Sequence, residues 1–203
     1  RYWGKTYIMN RIKRLFIAFV VAVMTTTALS AQEREVIVPN EDDILAKTLS
    51  TASPYYYTNL MLKYRLGTES LSELEYYYLY YGFLYQEQYK PFAENTALDS
   101  MLTIMADIDP ERPTVWQLEA LIERGLEAME VDPFNPKMLN MLAYAYGCLD
   151  DPHREKLYFD HLNGILSAIE MSGTGLKEGD AWHILMFSHA YDVVASKGYT
   201  YNE

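Results

Sequence analysis

The residue types best suited to acid and base chemistry are sparse in this chain. Its histidines are His153, His161, His183 and His189. None of them has a histidine partner at the four-residue spacing that holds zinc on a helix. His183 and His189 share one predicted helix with Asp180 and Asp192, and this is the only polar grouping that suggests proton transfer. At about 100° per residue the two histidines point to different sides, so we predict neither a catalytic site nor a metal site.

Other patterns that could carry chemistry are also weak. The glycine-containing stretch SGTG at 172–175 lacks the lysine and the preceding strand of a phosphate-binding loop. Cys148 is the single cysteine, so no internal disulfide can form, and we expect it to be a small buried apolar residue. No serine elbow or dinucleotide fingerprint occurs. The sequence therefore predicts no cofactor and favours a non-enzyme, with a hydrolase of unrecognised type as an open alternative.

The most distinctive stretch is SELEYYYLYYGFLYQEQYKPF at 72–92. Ser72 and Glu75 form a capping box, which predicts a helix start. Tyrosines then occupy nearly every side of the helix, so no polar face remains and the helix should be covered on several sides. Each buried hydroxyl then needs a partner, because an unpaired one costs on the order of 1 to 3 kcal/mol.

Two interpretations of this tyrosine helix remain open. In the first it is the central core helix of an all-helical domain, with Tyr80 near the middle of the apolar arc. In the second, aromatic faces on the side of Tyr78 stack on a sugar or a peptide. The candidate ligand- or partner-binding residues of the second interpretation are Tyr77, Tyr78, Tyr81, Tyr85 and Tyr89.

The start of the chain predicts export. Met9 opens a secretory signal that runs to residue 31, with basic residues, a short apolar run and small residues before the expected cut. The apolar run is too short to span a bilayer, so we expect no membrane anchor after cleavage and a periplasmic or extracellular protein. Residues 1–8 would precede the true start, 32–39 would be a linker, and 40–203 a single helical domain whose C-terminal part could continue beyond Glu203.

Charge narrows the class of partner. All 28 acidic residues lie beyond residue 31, whereas five of the 17 basic residues lie before it, so the mature chain has a net charge of −16 (12 minus 28). A chain this acidic is repelled by nucleic acid and by anionic membrane surfaces. We therefore expect a protein or peptide partner, with a glycan as the alternative.

Helix-start signals and Asp-Pro pairs divide the rest of the chain into helices. Asn40 predicts a first helix and Ser53 with Pro54 a second, which Gly67 ends. The motifs DPERP at 109–113 and DPFNP at 132–136, and the pair Asp151 and Pro152, leave room for one helix between each. A last pair is predicted at about 152–171 and 179–197. The pattern predicts an all-α fold of stacked antiparallel helical hairpins.

Two resemblances support this architecture. The run GLEAMEVDPFNPKMLNMLAYAYGCLDD at 125–151 resembles part of a tetratricopeptide repeat, although only this one copy is legible. EYYYLYYGFLYQEQYKPF, DPFNPKMLNMLAYAY and AIEMSGTGLKEGDAWHILMFSHAYDVV resemble the family called domain of unknown function 4919. That resemblance implies an exported helical domain of Bacteroides-type bacteria and carries over no catalytic residue. Because hairpin stacks usually present a concave binding surface, we predict a protein- or peptide-binding or scaffolding module.

Overall fold

The computed structural model describes residues 36–199, which belong to one compact unit. Within these residues the regular structure is helical, with short 3₁₀ turns at Phe83–Tyr85 and Glu178–Asp180. The α-helices are α1 (Glu41–Leu49), α2 (Tyr57–Leu66), α3 (Glu73–Gly82), α4 (Thr96–Ala106), α5 (Val115–Ala128), α6 (Pro136–Cys148), α7 (Pro152–Glu170) and α8 (Phe187–Ser196). The predicted all-α fold is confirmed. The predicted signal peptide at 9–31 lies outside the described residues.

Local sequence signals start these helices. The Asn40 side chain accepts a hydrogen bond from the Asp43 amide at 2.9 Å and caps α1. Ser72 and Glu75 form the predicted capping box of α3, since each side chain bonds the other residue's backbone amide. Gly67 ends α2 in the left-handed conformation, with φ of 61°. These caps satisfy backbone groups that a helix end would otherwise leave unpaired.

The tyrosine helix α3 lies at the centre of the fold. It packs against α1, α2 and α7, which cover it on several sides, as the sequence predicts. Leu79 and Tyr80 are fully buried. A Cβ on Gly82 would come within 2.8 Å of the Thr48 methyl group, so glycine is what allows α1 to approach the end of α3.

The remaining helices pack largely in chain order. Helix α4 contacts α5, α5 contacts α6, α6 contacts α7, and α8 lies against α6. Their shared core is apolar, and its fully buried members include Met101, Leu121, Leu139, Leu142 and Ile165. The more specific tetratricopeptide-like stack stays a prediction.

Two helix boundaries differ from those expected. Helix α2 begins at Tyr57 rather than at Pro54, because the Ser53 hydroxyl bonds the Tyr55 amide and holds residues 51–55 in turns. The last helix begins at Phe187 and not at about Gly179. The reason is that tyrosine hydroxyls from distant parts of the chain form hydrogen bonds with the backbone of His183 and Leu185, in place of helical hydrogen bonds.

Among the described residues, no helix combines the length and the apolar composition needed to cross a bilayer. Cys148 was expected to be buried, but it is exposed at the end of α6. The reason is its position one residue before Leu149, off the stripe of Leu142, Ala145 and Leu149 that packs on the core.

Candidate functional site

The five tyrosines predicted to bind a ligand fall into two groups. Tyr77, Tyr78 and Tyr81 are buried, whereas Tyr85 and Tyr89 are half-buried. Burial raises the pKa of Tyr77 to about 12. Rings that the protein itself covers present no open face to a sugar in this conformation. Ligand binding by these five residues stays a prediction.

The ligand-binding interpretation placed Tyr78 on the open side of the helix, but α1 covers it. Its hydroxyl donates to Asp43 at 2.8 Å and accepts from Lys47 at 2.6 Å, and its ring packs 4.4 Å from that of Tyr55. The hydrogen bond to Tyr78 raises the pKa of Lys47, and the hydrogen bond to Asp43 raises it further by a smaller amount. The bond from Lys47 lowers the pKa of Asp43. This cluster ties α1 to α3.

A second cluster ties α3 to α7 and α2 through His161. The Nε2 atom of His161 lies 2.9 Å from the carbonyl oxygen of Tyr64, which can only accept, so Nε2 carries the proton. Nδ1 therefore accepts from the hydroxyl of Tyr76 at 2.9 Å. Burial lowers the pKa of His161 to about 4, which keeps the ring neutral. The Tyr64 hydroxyl continues the chain to the carbonyl of Pro133 at 2.8 Å.

The third cluster links a hydroxyl, an imidazole and a carboxylate in the same order as a catalytic triad, but it is closed to solvent. The hydroxyl of Tyr80 lies 2.8 Å from Nδ1 of His189, and Nε2 of His189 lies 2.9 Å from a carboxylate oxygen of Asp132. The same carboxylate accepts from the Phe134 amide and from Asn135. Tyr80 is fully buried and His189 is 1% exposed, so no substrate reaches the hydroxyl. The cluster holds the fold together and is not placed to act as a nucleophile.

Sequence reasoning missed this cluster, although parts of it were visible. Asp132 and Asn135 belong to the DPFNP motif, which the sequence analysis interprets as a helix boundary and as part of the two resemblances. Asn135 does cap α6, with its side-chain oxygen 3.0 Å from the Met138 amide. His183 and His189 do not share the predicted helix, since His183 lies before α8 and is exposed, whereas His189 lies in α8 and is buried. No local signal pairs His189 with Tyr80.

The open surface carries a groove built from three adjacent clefts. The first, the α5 cleft, has a volume of about 480 Å³. Its floor is apolar and comprises Ile122, Leu126 and Leu149. Its rim is charged and comprises Glu119, Glu123, Asp151 and Arg154. An apolar floor with a charged rim is the arrangement found at protein-binding surfaces.

The other two clefts continue from the first. The middle cleft, of about 180 Å³, shares Leu126 with the α5 cleft. The α2 cleft, of about 480 Å³, shares Arg65 and Glu130 with the middle cleft and is also lined by Gln88. The three clefts together are called the groove below. An exposed ion pair, Arg65 to Glu130 at 3.3 Å, lies where the middle cleft meets the α2 cleft.

A stack of side chains supports the α5 end of the groove. The Tyr146 and Tyr158 rings stack with centroids 5.4 Å apart, and the Arg154 guanidinium lies 4.6 Å from the Tyr146 ring centre. Arg154 is also bonded to Asp151 at 2.6 Å. This ion pair holds Arg154, the basic residue among those that line the α5 cleft. On α5, Glu123 is itself paired with Arg124 at 2.9 Å, and Glu119 lines the same cleft. Within residues 36–199, no three histidine, cysteine or acidic side chains lie close enough together to hold a metal ion.

The fold and the clefts define an all-helical domain with adjacent surface clefts and with buried polar clusters in an apolar core. The family model described as domain of unknown function (DUF4919) matches residues 42–203. The chain belongs to that family. No curated protein and no solved structure matches it.

Proposed function

We propose that this domain binds a protein or peptide partner and that the groove holds an extended segment of that partner. The observation that carries the proposal is the adjacency of the three clefts, since Leu126 lines the first two and Arg65 with Glu130 lines the last two. A row of connected clefts suits an elongated ligand better than a compact one. The helical-hairpin architecture, which commonly presents such surfaces, is consistent with this proposal.

The chemistry of the groove favours apolar side chains on the partner. Leu126 is 43% exposed in the middle of the groove and Leu62 is 56% exposed in the α2 cleft. Covering such side chains gains roughly 25 cal/mol for each Å² removed from water. Gln88, which lines the α2 cleft, can donate to and accept from a peptide backbone.

Charge favours a basic residue in the bound segment. Three acidic residues line the α5 cleft: Glu119, Glu123 and Asp151. Arg154 pairs with Asp151 and Arg124 pairs with Glu123, so one carboxylate, that of Glu119, is in excess. The whole chain has a net charge of −11, so its field attracts cations at long range. We therefore propose a partner segment with apolar side chains and a lysine or arginine that lies at the α5 end.

Two alternatives are less favoured by these contacts. A glycan platform requires open tyrosine faces, but Tyr77, Tyr78 and Tyr81 are buried. Hydrolysis requires a nucleophile that the substrate reaches, and the Tyr80, His189 and Asp132 cluster is buried. We propose further that the mature chain acts outside the cytoplasm, on the strength of the secretory pattern at 9–31.

A displayed random-peptide library, selected on purified residues 32–203, tests the function. We expect selected peptides to combine apolar residues with lysine or arginine and to bind less tightly as salt is raised. Leu126→Glu should weaken their binding at least about tenfold, because it puts a charge on the groove floor. Leu49→Glu is the matched control, since Leu49 is 53% exposed at the end of α1 and lines none of the three clefts.

The selection can also overturn the proposal. If no peptide is enriched, or if the enriched peptides bind Leu126→Glu and Leu49→Glu as tightly as the unchanged chain, the groove is not a peptide site. Circular dichroism of both variants checks that the helical fold is intact.

A further inference from the structure

The middle cleft of the groove has room for one aromatic side chain. Its floor is buried, since Tyr64 is fully buried and His161 is 3% exposed, whereas Arg65 and Glu130 at its mouth are exposed. Its volume of about 180 Å³ is close to the about 150 Å³ of an apolar cavity that holds one benzene molecule. The clefts on either side, of about 480 Å³ each, are wider.

The walls of the middle cleft suit a ring. Pro133, Leu157 and Met129 line it, and a thioether sulfur makes favourable contacts with aromatic groups. The guanidinium of Arg65, which lines the same cleft, can lie over a ring face. A side chain that enters the cleft therefore meets apolar groups and a planar cation, and an aromatic ring packs well against both.

One polar group of the floor is left for a ligand, and it belongs to Tyr158. The Tyr64 hydroxyl is used on the Pro133 carbonyl, and both nitrogens of His161 are used as described above. Tyr158 is only 8% exposed, yet its hydroxyl has no hydrogen-bond partner within residues 36–199. In that part of the chain the Tyr144 hydroxyl is the one enclosed side-chain oxygen without a partner, so the Tyr158 hydroxyl reaches solvent. The middle cleft is the cleft that Tyr158 lines.

The Tyr158 hydroxyl is held in place and keeps its proton. Its ring stacks on that of Tyr146 at 5.4 Å and meets the edge of the His161 ring at 6.2 Å. Burial raises the pKa of Tyr158 to about 12, so the hydroxyl is a donor at neutral pH. A ligand that covers this hydroxyl without bonding it loses affinity, because the group exchanges its water for no partner.

We propose that the middle cleft is an anchor pocket that takes the side chain of one tyrosine of the bound segment. The ring fills the cleft, and the phenol oxygen forms a hydrogen bond with the Tyr158 hydroxyl. Phenylalanine fits the same space but leaves that hydroxyl covered and unpaired, so Tyr158 makes the pocket select tyrosine over phenylalanine. This inference rests on peptide binding by the groove and adds which side chain the groove selects.

A double-mutant cycle tests the pocket with peptides from the displayed library. We expect the enriched peptides to share a tyrosine, and a synthetic peptide with that tyrosine to bind the chain about tenfold more tightly than its phenylalanine counterpart. On Tyr158→Phe the two peptides should bind within about twofold of each other. Isothermal titration calorimetry measures the four affinities.

Tyr57→Phe is the matched control. Tyr57 is also 8% exposed, its hydroxyl has no hydrogen-bond partner within residues 36–199, and it lines the α2 cleft but not the middle cleft. Neither substitution removes a hydrogen bond of the folded chain, so both variants should keep the helical circular dichroism spectrum. Tyr57→Phe should keep the preference of about tenfold for tyrosine.

Two results overturn the inference while peptide binding by the groove stands. One is a set of enriched peptides that need Leu126 but share no tyrosine. The other is a preference for tyrosine that persists in Tyr158→Phe or is lost equally in Tyr57→Phe. If no peptide is enriched at all, the proposed function fails and the anchor role fails with it.

Small analogues of the two side chains test the pocket without a peptide. In methyl-labelled chain, p-cresol should shift the NMR signal of the Met129 methyl group at a lower concentration than toluene does, and Tyr158→Phe should abolish the difference. A Met129→Leu variant assigns the signal. An equal response to both compounds, or no shift at Met129, would contradict the anchor pocket whatever the peptides do.

Discussion

The Tyr80 hydroxyl and the His189 imidazole form a buried hydrogen bond of 2.8 Å between residues 109 positions apart. Asp132 accepts from the other nitrogen of the same ring, so the tyrosine helix, the α5 to α6 turn and the last helix meet at one polar point. Removal of one partner leaves a buried polar group unpaired, at a cost of about 1 to 3 kcal/mol. The unusual tyrosine content of α3 thus has a structural explanation.

The first prediction compares two tyrosines of α3. Tyr80 is fully buried and Tyr78 is 6% exposed, so both alanine variants remove a large packed ring. We expect Tyr80→Ala to cost about 3 to 5 kcal/mol and to lower the Tm by roughly 10 °C. We expect Tyr78→Ala to cost at least about 2 kcal/mol, because the ring packs on Tyr55.

Urea unfolding monitored by circular dichroism measures both costs. A loss at Tyr78 below about 0.5 kcal/mol would show that its ring contributes little to the core, and the interpretation of that ring as a ligand-facing residue would regain support.

The second prediction concerns the pH dependence of stability. His161 has a pKa of about 4 in the folded protein against an ordinary value of 6.5, because it is buried as a neutral ring. The unfolded chain therefore binds a proton between these values that the folded chain does not bind. Stability from this residue is complete above pH 6.5 and falls as the pH is lowered toward 4, by on the order of 3 kcal/mol.

His161→Gln tests this assignment, because an amide can bond both Tyr76 and the Tyr64 carbonyl without titrating. Unfolding free energies at pH 4.5, 5.5 and 7.5 should depend less steeply on pH in the variant. At pH 7.5, where the His161 side chain is neutral in both the folded and the unfolded chain, the difference in unfolding free energy between the variant and the unchanged chain reports only the altered packing. Identical slopes in the two proteins would mean that His161 is not buried in its neutral form.

The third prediction concerns export. If 9–31 is a signal peptide, expression in a Gram-negative host should yield a soluble chain that begins near Gln32 in the periplasmic fraction. Mass spectrometry of the N-terminus measures the cut. A chain that still begins at Met9 in the membrane fraction would contradict the prediction.

Local chemistry made much of the fold predictable. Helix caps depend on contacts between residues only a few positions apart, so the sequence locates these helix ends correctly. The examples are Asn40 for α1, Gly67 for α2, and Ser72 with Glu75 for α3. The tyrosine helix was expected to be covered on several sides because it lacks a polar face, and three helices do cover it.

The contacts that define the buried clusters and the groove are non-local and could not be predicted. The Tyr80 hydroxyl is hydrogen-bonded to His189, and the Tyr81 hydroxyl is hydrogen-bonded to the His183 carbonyl. More than 100 positions of chain separate the two residues of each pair. Periodicity alone predicts a helix that includes residues 179–186. It carries no information about the tyrosine hydroxyls that form hydrogen bonds with the backbone of His183 and Leu185 in place of helical ones. The groove joins residues of α2, α5 and α7, whose neighbourhood depends on the packing of the whole domain.

The central claim is that one extended segment lies along the whole groove. A photo-crosslinking amino acid placed at Glu119 in one variant and at Gln88 in another marks the α5 cleft and the α2 cleft, which share no lining residue. A selected peptide of about 12 residues spans up to about 40 Å when extended, so it can reach from one cleft to the next. Mass spectrometry identifies which peptide residue is attached at each position.

We predict that both variants crosslink the same peptide, at opposite ends of its sequence, with the basic residue nearer the Glu119 position. A third variant with the crosslinker at Leu49, outside the groove, should capture little peptide. Crosslinking at Leu49 as strong as at the two groove positions, or attachment of one and the same peptide residue at both ends, would contradict the account.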